Sequence, residues 1–208
     1  MGAFVTFEGP DGSGKSTQIQ WLAEYLTGLG QSVLLTREPG GTAIGETLRG
    51  ILMDTGNTHL DPVTEWLLYE ADRRQHVRET LRPALKRDVF ILCDRYSDAT
   101  EAYQQAGRGL DPAAVQLVDA IARDGLMPDL TLIYDCDPRD GLARAQRRDG
   151  GELGRFEAVR LDFHERVREA YLAIARREPG RVAVIASSAP KEEVSGETWT
   201  RLAERFAH

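Results

Sequence analysis

The segment GPDGSGKST, residues 9–17, sets three glycines around an acid and follows them at once with a lysine and two hydroxyls. Residues 9–16 fit the pattern G-x-x-x-x-G-K-[ST] of a phosphate-binding loop. Glycine there forfeits backbone entropy but lets main-chain N–H groups approach phosphate oxygens closely. Lys15 is expected to reach the β- and γ-phosphates, and the Ser16 hydroxyl to ligate Mg2+, which prefers oxygen ligands. Gly9, Pro10, Asp11, Gly12, Ser13, Gly14, Lys15, Ser16 and Thr17 are therefore the candidate residues for binding ATP. The bland alternative is a glycine-rich turn with an incidental lysine. The flanks weigh against it, because AFVTFE before the loop reads as a strand and the stretch from Ser16 onward as a helix.

Such a loop identifies a nucleoside triphosphate and leaves the reaction open. A GTPase switch, a motor or assembly ATPase and a small-molecule kinase all carry it. The chain has no N/T-K-x-D segment for reading guanine, and its acid-bearing strand ends in VFILCDRYS, with Asp94 followed by Arg95 in place of a second acid. In an open α/β sheet, ligands lie beyond the carboxyl ends of the strands. Arg37-Glu38, Asp94-Arg95 and the loop would converge there. Two more arginines beside a phosphate-binding lysine suggest a second phosphate, since planar guanidinium donors grip phosphate oxygens in pairs. Asp94 is placed to order a hydrated magnesium. Arg37 has an equally good structural reading, a surface ion pair with Glu38. Tyr69 and Arg73 are four apart in TEWLLYEADRRQH and share a helix face, offering a ring to stack on a base and a cation for the same ligand. His59 and His76 lack partners at metal-ligand spacing and read as structural or surface residues.

The elements that must position these groups alternate. Apolar runs at Ala3–Glu8, Ser32–Thr36, Val89–Cys93, Leu130–Asp135 and Val182–Ala186 read as strands buried on both faces. Helical stretches at Ser16–Leu29, Val63–Lys86, Pro112–Arg123 and Glu157–Arg177 lie between them. The fold class is α/β, a three-layer α/β/α arrangement around a five-stranded parallel sheet. Two regions look like inserts: residues 37–53, opened by the helix-breaking REPGGT, and residues 139–155, with five arginines and a Gly150-Gly151 pair. The segment 191–208 has amphipathic spacing at Val194, Trp199, Leu202 and Phe206, as a helix packed on the sheet would.

At 208 residues, 41% hydrophobic and 28% charged, the chain is expected to form one domain without internal boundaries. A net charge of −7 argues against broad adhesion to nucleic acid or anionic membrane, so an anionic ligand must be held by local cations. Cys93 and Cys136 sit in apolar runs and read as buried thiols. No run approaches a membrane span and no basic leader precedes the first strand, which points to a cytoplasmic protein.

FEGPDGSGKSTQ, TREPGGT, LLYEADRRQH and DRYSDATEAYQQAGRG, in that order along the chain, together resemble the bacterial thymidylate kinase family. The resemblance implies a P-loop NTPase-like fold of the nucleoside monophosphate kinase type. It implies transfer of the γ-phosphoryl group of ATP to dTMP, making dTDP on the way to dTTP, and a homodimer. It implies that Asp11 contacts the sugar 3′-hydroxyl, Tyr69 stacks on thymine and Arg73 contacts base edge and phosphate. Arg49 becomes a further acceptor-phosphate ligand, Arg95 adjoins both nucleotides, and Thr100 with Gln104 nearby reads the ring nitrogen. Tyr103 crowds out a ribose 2′-hydroxyl, and Glu38 belongs to the same acceptor-binding region, about residues 37–73.

Position 12 is glycine where eukaryotic-type members carry an arginine. The resemblance then implies that catalytic arginines come from a lid, about residues 139–156, which offers Arg144, Arg147, Arg148 and Arg155. Arg144 and Arg148 join Lys15, Asp94 and Arg95 as candidate catalytic residues, with Ser16 and Asp94 as the metal pair. A solvated helix, with Asp140 paired to Arg144, is the competing reading of that segment. Two functional rivals stand beside dTMP phosphorylation: a kinase for dUMP, dCMP or a deoxynucleoside, and a silent ATP-binding module.

Overall fold

The structure, a computed structural model, describes residues 2–148 and 159–206, with only the backbone described at Arg148. Its centre is a sheet of β1 (Ala3–Glu8), β2 (Val33–Arg37), β3 (Phe90–Asp94), β4 (Leu130–Asp135) and β5 (Val182–Ala186). The strands are parallel throughout and ordered β2-β3-β1-β4-β5. Because β1 sits between β3 and β4, the chain leaves it at the point where the winding direction reverses, where a crevice opens above the sheet.

Successive residues of each strand face opposite layers. Val5, Phe7, Leu92 and Leu132 meet Leu22 and Leu26 of α1 (Lys15–Gly28) and Val194 and Leu202 of α9 (Lys191–Phe206). On the other face, Phe4, Ile91 and Cys93 meet Val77, Leu81 and Ala84. Ile133 and Val182 meet Val167, Tyr171 and Ile174 of α8 (Leu161–Arg177). Leu22, Leu92 and Leu132 are fully buried, each contributing roughly 1.5–3 kcal/mol relative to exposure. The strand runs and the amphipathic C-terminal helix are thus where the sequence places them.

Three stretches differ from expectation. The helix anticipated over Val63–Lys86 is α3 (Pro62–His76), a π-helical turn at Val77–Leu81 and α4 (Arg82–Leu85). Pro83 accounts for the change: it has no N–H to donate and crowds the preceding turn, so the backbone widens before it. Residues 37–53 are not an irregular insert throughout, since α2 occupies Ala43–Met53. Its N-cap is Thr42, whose hydroxyl accepts from Gly45 N, and Glu46 lies in the first turn, favourable to the helix dipole. The stretch after β3 is also helical, α5 (Ser97–Thr100) passing into a π-helical segment Glu101–Gly107. Beyond it come α6 (Pro112–Arg123), capped by Asp111, whose side chain accepts from Ala114 N, and α7 (Pro138–Arg148) at the start of the arginine-rich segment. Residues 149–158, including Arg155 and the paired glycines, lie outside the described residues.

Candidate active site

A cavity of about 670 Å³ opens at the carboxyl end of the sheet. The loop between β1 and α1 forms its floor, with residues Asp11 to Thr17 all reaching it. Gly9 and Pro10 do not line it. They lie beneath, and their carbonyls accept from Lys15 Nζ at 3.1 and 2.9 Å. Helix α1 starts at Lys15 with no side-chain cap and no acid in its first turn, so its positive end faces the cavity uncompensated. Burial, and then the charge of Arg95, pull the Lys15 pKa down to about 8. A resting lysine so placed gains its preferred charged form when an anion arrives.

Asp94, at the end of β3, accepts a long hydrogen bond of 3.4 Å from Ser16 Oγ. This hydroxyl–carboxylate pair beside the loop is a fitting donor set for magnesium, which takes few protein oxygens and keeps phosphates and waters as its other ligands. Among the described residues no cluster of three or more His, Cys, Asp or Glu side chains could hold a metal, so a multi-ligand protein cage is not what the site offers.

Arg95 follows with a left-handed backbone, φ 69°. Its Nη2 lies 2.7 Å from Asp11 Oδ1 and 3.0 Å from Tyr103 Oη, while Nη1 donates to Gly9 O and Tyr171 Oη. Tyr103 Oη also donates to Asp11 Oδ2. Burial opposes the charge on Asp11, but Arg95, then Lys15 and His164, outweigh it and hold its carboxyl below the usual range. Arg95, Asp11, Tyr103 and Tyr171, from four separate parts of the chain, thereby form one charged junction between the loop and the far half of the cavity.

That far half is lined by Arg49 of α2, Tyr69 and Arg73 of α3, and Thr100, Tyr103 and Gln104 after β3. Tyr69 and Arg73 do share a face, as their spacing requires. Arg49 donates to Pro39 O at 3.0 Å and is only part-buried, leaving its guanidinium near the cavity mouth. Glu38 and Arg73 are another matter. Arg73 is 2% exposed, and it donates to Glu38, Glu70, Thr100, Asp119 and the Tyr96 carbonyl. Burial works against its charge, and Glu70, Glu38 and Asp119 keep it protonated. The other Glu38 oxygen contacts His76 Nδ1 at 2.9 Å. Both carboxylate oxygens of Glu38 are therefore engaged with protein, one of them holding Arg73, while Glu38 also lines the cavity. Arg73, held on so many sides, is a fixed edge of the cavity. Thr100, accepting from Arg73 at 2.8 Å, and Gln104, directed toward Glu65, are held in the same way.

Arg37 lines the mouth but pairs with Glu46, not with Glu38. Arg144 reaches toward Gly12 O and Ser187 O, each at 3.5 Å, so α7 turns it to the loop and away from the solvated pairing with Asp140. Arg147 is exposed, and the Arg148 side chain lies outside the described residues. His76 is a buried structural group bonded to Thr36 and Glu38, and both cysteines are buried thiols.

Glu8, Glu70, Asp119 and Tyr171 belong to this constellation and were not singled out from sequence. Glu8 had a visible signal, an acid ending an otherwise apolar strand. The others come from helix faces where an acid or tyrosine is ordinary.

The family model for thymidylate kinase matches residues 7–197. A thymidylate kinase of Pelobacter propionicus is 51% identical over 199 residues, covering 94% of this chain and 91% of that protein. One of Deinococcus radiodurans is 45% identical over 205 residues, with 99% and 98% covered. Among solved structures, the thymidylate kinase of Ehrlichia chaffeensis superposes with a TM-score of 0.79 at 33% identity, covering 97% of this chain and 98% of that one.

Proposed function

Since the chain belongs to the thymidylate kinase family, we propose that it transfers the γ-phosphoryl group of ATP to dTMP, giving dTDP and ADP. One observation carries the reading: a single cavity joins the phosphate-binding loop to the wall of Arg49, Tyr69 and Arg73, with Arg95 between them. The loop and Lys15 hold the donor's phosphates. Tyr69 stacks on thymine, Arg73 and Thr100 meet its edge with Gln104 beside them, and Arg49 holds the acceptor phosphate. Asp11 receives the sugar 3′-hydroxyl, and the Tyr103 ring fills the space a 2′-hydroxyl would need.

Phosphoryl transfer asks for alignment and charge neutralisation more than covalent chemistry. Lys15 and Arg95 supply fixed positive charge around the moving group, and Arg144, with Arg148, adds more from the lid. Magnesium, held through Ser16 and Asp94 when bound, supplies further neutralisation of the phosphate oxygens. No general base is needed, because the acceptor is already an anion. As a lid, residues 139–156 would exclude the water that could otherwise intercept the phosphoryl group.

The chain works as one unit and as a homodimer. Adjacent helices α2, α3 and α6 each expose apolar side chains, Ile44 and Ile51, Val63 and Leu67, Leu117 and Ile121. Leu117 and Ile121 are 65% and 64% exposed, one turn apart on α6, which a second copy would cover. Replacing both by Glu should yield monomers in sedimentation equilibrium. A double variant that stays dimeric excludes this face. Free thiols and nucleotide substrates suit a cytoplasmic setting.

A crystal grown with dTMP and a non-hydrolysable ATP analogue tests the reading. The acceptor phosphate should lie between Arg49 and Arg95, in line with the donor on the loop. A dTMP bound elsewhere overturns it.

A further inference from the structure

Glu8 carries a fully buried carboxyl group at the end of β1, directly before the loop. Burying such a group is costly unless its oxygens are bonded, so its two partners indicate what the position is for. Oε1 accepts from Tyr96 N at 2.7 Å. Oε2 accepts from Tyr171 Oη at 2.7 Å. Both routes lead to Arg95. Tyr96 is the next residue in the chain, and Tyr171 Oη in turn accepts from Arg95 Nη1 at 3.1 Å.

Arg95 needs such handling. Its left-handed φ of 69° is unfavourable for a residue with a Cβ and persists only where neighbours over-determine it. The amides on either side of that strained unit are both captured by the end of β1, Arg95 N by Phe7 O at 3.1 Å and Tyr96 N by Glu8. The guanidinium is then held from one side by Tyr171 and from the other by Asp11, with its Cζ 4.6 Å from the centre of the Tyr103 ring. An arginine side chain is entropically free by default, and a group that stabilises developing charge works best when already fixed.

We infer that Glu8 is a positioning residue for phosphoryl transfer, fixing Arg95 through its backbone by way of Tyr96 and through its guanidinium by way of the Tyr171 hydroxyl. This rests on the reading of Arg95 as a contact of the reacting phosphates. Glu8 itself touches no substrate. Asp98 and Arg95 are the charges that face it, and Thr6 beside it on β1 bonds to Thr131 on the neighbouring strand.

Kinetics and structure of Glu8→Gln, Tyr171→Phe and the double variant test the inference. Tyr171→Phe is the mild member, removing one oxygen and keeping the ring. Each single variant should lose roughly tenfold or more in kcat, with the KM for ATP changed by no more than about twofold. The double variant should be no slower than the slower single, because both act on one guanidinium. Crystals of both single variants should show Arg95 Nη2 moved out of hydrogen-bond reach of Asp11. Unchanged kcat, multiplicative losses, or an Arg95 that keeps its 2.7 Å contact with Asp11 overturns the inference. Should the unaltered chain fail to phosphorylate dTMP, the functional reading falls, and the position of Arg95 in those crystals still decides the role of Glu8.

Discussion

Gly12 of the phosphate-binding loop and Gly141 of α7 meet backbone to backbone. A Cβ built on Gly12 would stand 1.9 Å from Gly141 O, and one built on Gly141 would stand 2.5 Å from Asp11 O. The arginine-bearing helix is therefore seated directly on the loop, with no room for a side chain between them. This gives a physical reason for glycine at position 12, where the resemblance implies an arginine in eukaryotic-type members. In this packing a loop arginine and the seated helix exclude each other, and Arg144, reaching toward Gly12 O, comes from the helix instead.

Gly12→Ala should be much worse than Gly14→Ala. Both positions have positive φ, 70° and 88°, so each substitution strains the backbone by about 1 kcal/mol. Only Gly12 adds the clash, since a Cβ at Gly14 meets nothing within 4 Å. The expected result is a loss of roughly 2–4 kcal/mol in unfolding free energy for Gly12→Ala and about 1 kcal/mol for Gly14→Ala. Denaturant titration measures both. Equal losses would mean that α7 yields freely and is not seated on the loop.

Nucleotide binding should take up protons at alkaline pH. With its pKa pulled down to about 8, Lys15 is more than half neutral at pH 8.5 in the free protein. Triphosphate oxygens favour the ammonium form and raise that value, so binding draws protons from the buffer. Calorimetry at pH 8.5 in buffers of different ionisation enthalpy should show uptake on binding Mg·ATP, whose phosphates are already ionised there. At pH 6.5 Lys15 is charged beforehand and contributes none. Proton release at pH 8.5 would contradict this account of the loop.

Asp72 predicts a slope in stability. It is fully buried, its Oδ1 accepts from Gly40 N at 2.9 Å, and its Oδ2 has no hydrogen-bond partner. Burial, reinforced by Glu38, raises its pKa to about 7. The folded protein therefore holds a proton there that the unfolded chain releases from about pH 4 upward. The favourable contribution is complete below the unfolded value and is lost as pH rises through 7. Asp72→Asn, which keeps an acceptor for Gly40, should flatten this fall and shift relative stability between pH 4.5 and 8 by on the order of 1–3 kcal/mol. Parallel pH profiles for the two proteins would refute it.

The scaffold was legible for a clear reason. Val5, Leu92 and Ile133 belong to runs apolar on both faces, which only a sheet covered twice can bury. The loop was legible because its chemistry is contiguous in sequence. The acceptor side was legible only in outline. Arg73 is surrounded by Glu38, Thr100 and Asp119 from three elements other than its own helix, and only Glu70, three residues before it on α3, stands at a spacing the sequence records. It follows that the sequence could propose Glu38 and Arg73 for the site without showing that one holds the other. The helical stretch Ser97–Gly107 escaped notice because Thr100, Tyr103 and Gln104 turn polar groups to the cavity, erasing the apolar period of a helix packed on the core.

The central claim is that dTMP is the acceptor. Steady-state rates with Mg·ATP and dTMP, dUMP, dCMP or thymidine, followed by ADP release and by identification of the phosphorylated product, test it most directly. The account predicts the highest kcat/KM for dTMP, with about tenfold or more lost on removing the single methyl group in dUMP. It predicts still poorer use of dCMP and no use of thymidine, which brings no phosphate to Arg49. A higher kcat/KM for any of the other three, or ATP turnover with no dTDP formed, would contradict it.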